Sequence, residues 1–142
     1  MFIATCKCDW KCCTEQKMNK SICQNSALSM QENIEIPIDE IFNRYSSNPL
    51  TKAIVIGGLE PFLQFEEIYN LIKYFRENNC EDDFVIYTGY YLYEIEDYVK
   101  KLKQFNNIIL KVGRYVPTLT KRYDELLGVD LISNNQYGIK IS

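Results

Sequence analysis

The sequence predicts an α/β fold, an open, partial (βα) barrel built on a mostly parallel sheet. Two observations predict it. Short apolar runs of strand type alternate with stretches of helical period, the pattern of βαβ units and parallel pairing. Each of the first four runs also ends in a Gly-rich or Cys-rich turn, as strands do when they deliver loops to one rim of such a sheet. About five or six strands are expected, too few to close an eight-stranded barrel. The length of 142 residues points to one domain, 1–142, large enough to bury its own core.

Taken in order, Phe2-Ile3-Ala4-Thr5 reads as a short buried strand that opens into a cysteine loop over roughly residues 5–26. Residues Thr14 to Glu35 are polar and read as loop, with a helical turn around Ala27–Gln31. Pro37 starts a helix with Asp39 and Glu40 in its first turn and Ile38, Ile41, Phe42 and Tyr45 on one face; Ser46-Ser47-Asn48-Pro49 ends it. Ala53–Ile56 is a buried strand running into Gly57-Gly58. Gln64–Asn78 has helical period through Phe65, Ile68, Leu71, Ile72 and Phe75. Phe84–Tyr87 is the next strand, closed by Thr88-Gly89. A third helix is predicted over Tyr91–Gln104, with Leu92, Ile95, Val99 and Leu102 on one face. Ile108–Val112 is a strand closed by Gly113. Pro117–Leu127 has no clear period, and a strand pair around Asp130–Ile132 and Tyr137–Ile141 finishes the chain.

Composition narrows the function. Apolar content of 46% and charged content of 25% are those of a soluble globular protein. With a net charge of −3 and no basic stripe, nucleic acid is not an expected partner. No apolar run approaches the ~18–20 residues that span a bilayer, so no membrane partner is expected either. Eleven tyrosines and seven phenylalanines supply core, core edge and material for a partner surface.

Five of the six cysteines lie within the first 23 residues, and there is no histidine. A soft-metal site here must be built from thiolates. Three readings compete. A disulfide staple is disfavoured because the apolar start, Met1–Ala4, falls short of the roughly 7–15 residues of a secretory core, which points to a reducing cytoplasm. Zinc sites usually use two closely spaced cysteine pairs, and the second pair is missing. The third reading is an iron–sulfur cluster held by three cysteines with one iron left open.

The rim of the sheet offers further candidates, each with a plain alternative. Gly57-Gly58 lets a ligand approach the backbone, or is a simple strand-to-helix turn. Glu60 can accept a bond from a ligand amine, or favour a helix N-terminus. Thr88-Gly89 can be a turn only, Arg114 a surface charge, and Cys80 an inert loop thiol. Trp10 can shield a cluster or pack as a core aromatic. Convergence of four strand ends on one rim outweighs any single motif.

Taken together, the strand and cysteine loop, Ile56-Gly57-Gly58-Leu59-Glu60-Pro61, Tyr87-Thr88-Gly89-Tyr90, Gly113-Arg114-Tyr115 and Ser133-Asn134-Asn135-Gln136 resemble the radical S-adenosylmethionine enzymes. Within them the chain is most similar to the activases of anaerobic ribonucleotide reductase, and the likeness spans nearly its whole length. Two departures stand out. The family spaces its cysteines Cys-x3-Cys-x2-Cys; Cys8-x3-Cys12 fits, but Glu15 stands where the third cysteine is expected. Cys23-Gln24-Asn25 looks like that third cysteine, displaced by an insertion in Cys12-x10-Cys23. Leu59 is also inserted where the family runs Gly-Gly-Glu/Asp-Pro.

The resemblance implies a shortened radical-enzyme fold in which Cys8, Cys12 and Cys23 hold a [4Fe–4S] cluster, with Cys13 the rival for the third position and Cys6 a distant one. It implies S-adenosylmethionine bound by Gly57, Gly58, Glu60, Tyr87, Thr88, Gly89 and Arg114. One electron would cleave it to methionine and a 5′-deoxyadenosyl radical, which takes a hydrogen from a glycine of a partner reductase, a glycyl radical enzyme. A reducing electron-transfer protein is the second expected partner, and Tyr90, Tyr91 and Tyr93 are candidates for a docking surface. Two other readings stand beside it: the same chemistry on a peptide or small molecule, and a non-catalytic zinc-binding α/β module.

Overall fold

Apolar residues along four short strands produce a sheet with one face buried beneath helices. The computed structural model describes residues 1–142. Strands β1 (Phe2–Thr5), β2 (Ala53–Gly58), β3 (Asp83–Tyr87) and β4 (Ile108–Val112) lie side by side in chain order, all parallel. Their register aligns Ile3, Ile56, Ile86 and Leu110 in one row across the sheet. Sequential order with right-handed crossovers puts the connecting helices on a single face. These are α2 (Ile38–Ser46), α3 (Phe65–Glu77) and α4 (Glu96–Leu102), while a short helix α1 (Lys11–Glu15) belongs to the cysteine loop.

The helix-covered face supplies the core. Ile54, Ile56, Phe84, Ile86, Ile108 and Leu110 pack in one cluster with Ile68, Ile72 and Phe75 of α3 and Leu102 of α4. Each such side chain removed from water contributes on the order of 1.5–3 kcal/mol. Phe75 is fully buried and meets Phe42, Tyr45 and Phe84 edge-on, at centroid distances of 5.0, 5.4 and 5.3 Å. One residue along, the sheet turns its other face outward. There Gly57, Tyr87 and Lys111 fall in neighbouring register. A Cβ on Gly57 would stand 3.2 Å from Cβ of Tyr87, so glycine opens this face at the carboxyl ends of the strands.

Three sequence expectations change. The first strand is a sheet edge, with Phe2 61% exposed, because nothing pairs beyond it. The third helix is shorter than Tyr91–Gln104. A 3-10 turn at Leu92–Glu94 precedes α4, because the Glu94 carboxylate folds back to accept from the Tyr91 amide at 2.9 Å. The last two strands do not pair with each other. Val129–Leu131 (β6) pairs antiparallel with Arg122–Asp124 (β5), inside the stretch that lacked a period, and Tyr137–Lys140 (β7) adds antiparallel to β4. Gly128 turns that hairpin with φ +67°, its amide bonded to the Asp124 carbonyl at 2.8 Å. The buried Asp124 carboxylate then accepts from the Gly138 amide at 2.8 Å, which ties the ribbon to β7. The sheet order is thus β1-β2-β3-β4-β7, open at both edges. No helix is long and apolar enough to cross a membrane.

Candidate metal centre

The cysteine loop is fastened to the rim of the sheet at both ends. At its start, Thr5 Oγ1 donates to the Gly57 carbonyl at 3.0 Å, the Cys6 amide to Gln64 Oε1 at 2.7 Å, and the Glu60 amide to the Lys7 carbonyl at 2.7 Å. Trp10 takes a left-handed conformation (φ 61°) and donates its amide to Cys8 Sγ at 3.3 Å, turning the chain into α1. That helix carries Cys12 and the buried Cys13, whose sulfurs lie 4.0 Å apart. At the far end, Asn25 Nδ2 donates to the Gly58 carbonyl at 2.6 Å, and Leu28 packs where a Gly58 Cβ would fall. Asn25 thereby brings Cys23 to the same rim.

Cys8, Cys12, Cys13 and Cys23 line one cavity of about 330 Å3. Cys6 and Cys80 lie outside it. Burial pushes the Cys12 thiol up to about 12, reinforced by Cys13, Cys23 and Cys8, and burial likewise raises Cys8 against the bond from Trp10. Cys8 and Cys12, raised by burial and by the charges of neighbouring thiols, are costly to ionise without a cation beside them.

The strand ends form the opposite wall. Glu60 is 5% exposed; its Oε1 accepts from Thr88 Oγ1 at 2.7 Å and the Phe62 amide at 3.1 Å, and its Oε2 from the Gly89 amide at 2.9 Å. Burial pushes the Glu60 carboxyl up while these three bonds pull it down. Gly58, Tyr87, Thr88 and Gly89 complete the predicted part of this wall. Lys111 was missed by the sequence reading. Its strand neighbours are all apolar, and the one signal available was a lysine interrupting Ile108–Val112. Lys111 Nζ reaches the Gly113 carbonyl at 3.1 Å, and burial lowers it to about 8. Asn25, Tyr115 and Gln136 also line the cavity.

Other predicted residues stand elsewhere. Gly57 lies behind the lining, accepting from Thr5. Arg114 is 2% exposed and outside the lining, with Nη1 and Nη2 on the Glu94 carboxylate at 2.5 and 2.6 Å. That pairing pulls Glu94 down to about 2. Trp10 is outside the lining too, beneath Lys20 at 5.1 Å. Tyr90 is buried and its hydroxyl donates to Asp9 at 2.6 Å, whereas Tyr93 is 71% exposed and stacks on Tyr91 at 5.7 Å.

The donor set indicates what the cavity can hold. A single tetrahedral zinc, with Zn–S near 2.3 Å, needs its sulfurs within about 4 Å of each other. No three ligating side chains converge that way. Cysteines that line one cavity without three of them converging on a single point suit a multi-iron cluster, in which each thiolate would bind a different iron.

Fold and site together define an α/β protein with cysteines gathered at the carboxyl ends of its strands. The chain matches the family model described as a 4Fe-4S single cluster domain over residues 1–136, and it belongs to that family. It is an iron–sulfur protein, which supports the cluster reading of the cysteine loop. No curated protein and no solved structure matches the chain.

Proposed function

We propose that this iron–sulfur protein is a radical S-adenosylmethionine enzyme, an activase whose partner is an anaerobic ribonucleotide reductase. One observation carries the reading: the cysteines share their cavity with Glu60, Thr88-Gly89 and Lys111, a polar set able to bind a second ligand beside the thiolates. Cys8, Cys12 and Cys23 would hold the [4Fe–4S] cluster and leave one iron without a protein thiolate. Cys23 is preferred to Cys13 because the Cys12 and Cys13 sulfurs, 4.0 Å apart, are too close to serve different corners of one cluster. When bound, the reduced cluster supplies the electron that splits S-adenosylmethionine into methionine and a 5′-deoxyadenosyl radical.

The chain's own residues orient that ligand. Glu60 Oε2 accepts one bond in the protein and keeps an acceptor position for an amine. The Lys111 ammonium has further donors for a carboxylate. Met18, Ile22 and Ile132 add apolar surface to the cavity lining. The exposed Tyr93, braced by Tyr91, offers an aromatic contact to a large partner.

The test is anaerobic iron and sulfide analysis of reconstituted protein, with the spectrum of the reduced form recorded with and without S-adenosylmethionine. About four irons per chain and a signal altered by S-adenosylmethionine are expected. Cys8→Ser, Cys12→Ser and Cys23→Ser should each fall well below that iron content, while Cys6→Ser and Cys80→Ser keep it. A full cluster whose signal ignores S-adenosylmethionine would sink the radical chemistry. A glycyl radical appearing on the reductase, and on no unrelated peptide, identifies the partner.

A further inference from the structure

Arg114 and Glu15 are not absorbed by the cavity, yet they meet. Arg114 follows Gly113 at the end of β4, and its guanidinium reaches two carboxylates on separate parts of the chain. Glu94, ahead of α4, takes both terminal nitrogens, and Glu15 Oε2 stands 2.9 Å from Nε without the alignment of a hydrogen bond. The face of the guanidinium lies 4.9 Å from the centre of the Tyr91 ring. Glu94 also accepts from Lys11 Nζ at 3.2 Å, and Lys11 lies 4.5 Å above the Tyr90 ring, whose hydroxyl holds Asp9. Lys11 and Glu15 are the first and last residues of α1. Both ends of the short helix that carries Cys12 are therefore tied to one buried ion pair.

A five-residue helix is too short to hold its shape unaided, and α1 buries only Cys13. Its orientation must come from what grips its ends. We infer that Arg114, through Glu94 and Glu15, is the positioning residue of the cluster loop, holding α1 so that Cys12 faces the same cavity as Cys8 and Cys23. Glu15 stands at the position where a third cysteine was expected, and the ion pair draws it out of the cavity lining. The third thiolate is then left to the longer loop that Asn25 fastens. This inference rests on the assignment of Cys8, Cys12 and Cys23 as cluster ligands.

The experiment compares wild type, Arg114→Met, Arg114→Lys, Glu15→Gln and a core control, Leu102→Ala, as reconstituted full-length protein under anaerobic conditions. The readouts are iron release to bathophenanthroline disulfonate, the paramagnetic signal after dithionite reduction, and the thermal midpoint. Arg114→Met and Glu15→Gln should lose iron at least fivefold faster and shift the signal, with Arg114→Lys falling between them and wild type. Leu102→Ala should lower the midpoint and leave the signal unchanged. In the metal-free chain, amide exchange over residues 9–16 should quicken in Arg114→Met and Glu15→Gln. The side chain of Glu15 is 47% exposed, so Glu15→Gln carries the test if Arg114→Met does not fold. Wild-type iron release and signal in both variants, or an equal shift in Leu102→Ala, overturns the positioning role alone. A wild-type chain that takes up no iron overturns the ligand assignment with it.

Discussion

Lys111 is the single side chain whose placement says most about the ligand. A lysine in a strand otherwise made of Ile, Leu and Val would be out of place in a core. Here it points to the open face of the sheet, beside Tyr87 in the register, and burial lowers it to about 8. A neighbouring anion would raise that value again, so Lys111 is poised to gain from one. Binding of S-adenosylhomocysteine, which keeps the carboxylate and cannot be cleaved, should weaken roughly tenfold or more in Lys111→Met, the loss expected for one charge-assisted hydrogen bond. The sign with pH follows from the direction of the shift. A bound carboxylate would raise the Lys111 value above that of the free protein, so its contribution should be full below about pH 8 and fade as pH rises beyond it. Titration calorimetry of the cluster-loaded protein from pH 7 to pH 10 checks this. A wild-type affinity that does not fall, or a variant that falls in parallel, would remove Lys111 from the site.

Among the elements, the turn after β4 is the most constrained. Gly113 has φ +99°, and a Cβ there would lie 2.8 Å from the Asn135 carbonyl oxygen, which belongs to the backbone and cannot swing aside. The same residue donates its amide to the Tyr90 carbonyl at 3.0 Å and accepts from Lys111 and Gln136, so the turn locks β4 to the β3–α4 connection. Gly128 is a useful contrast, with φ +67° and nothing within 4 Å of its Cβ position. Gly128→Ala should cost only the left-handed backbone penalty, about 1–2 kcal/mol. Gly113→Ala should cost that and the clash as well, about 3 kcal/mol or more. Urea denaturation of the two variants decides it: equal losses would show that the Asn135 backbone yields without penalty.

The molecule as a whole divides into a well-packed half and a lightly held one. Helices α2 to α4 and their face of the sheet share one core. Of residues 14–37, none is buried, and their regular structure amounts to the end of α1 and two 3-10 turns. Their ties to the sheet include the Asn25 bond and the Leu28 contact at Gly58. A cluster that binds only the folded loop stabilises it by mass action, and opening of such a segment is local. Trypsin should therefore cut after the exposed Lys17 and Lys20 readily in metal-free protein, and at least tenfold more slowly once the cluster is loaded. Cleavage after Lys52, exposed but remote from the cysteines, should change little. Equal rates at Lys17 with and without the cluster would mean that Cys23 is not one of its ligands.

How far the residues speak for themselves depends on how local the physics is. Strands at Ala53–Ile56, Phe84–Tyr87 and Ile108–Val112, and helices α2 and α3, were legible because apolar period and capping act within a few residues. The crowd of cysteines without histidine was legible for the same reason, since thiolate chemistry belongs to the residue type. Strand pairing at the end of the chain was not, because Tyr137–Lys140 can satisfy its backbone on any free edge, and it takes the edge left by β4 rather than its neighbour in sequence. Nor was the fate of Glu15, Glu94 and Arg114, three charges distant in sequence that meet only once β3 and β4 lie side by side. Lys111 gave no functional signal inside an apolar strand; the register sets it beside Tyr87 on the cavity face. Composition and period act along the chain, whereas which groups face one another across a cavity depends on contacts between distant segments, and those exist only in the folded protein.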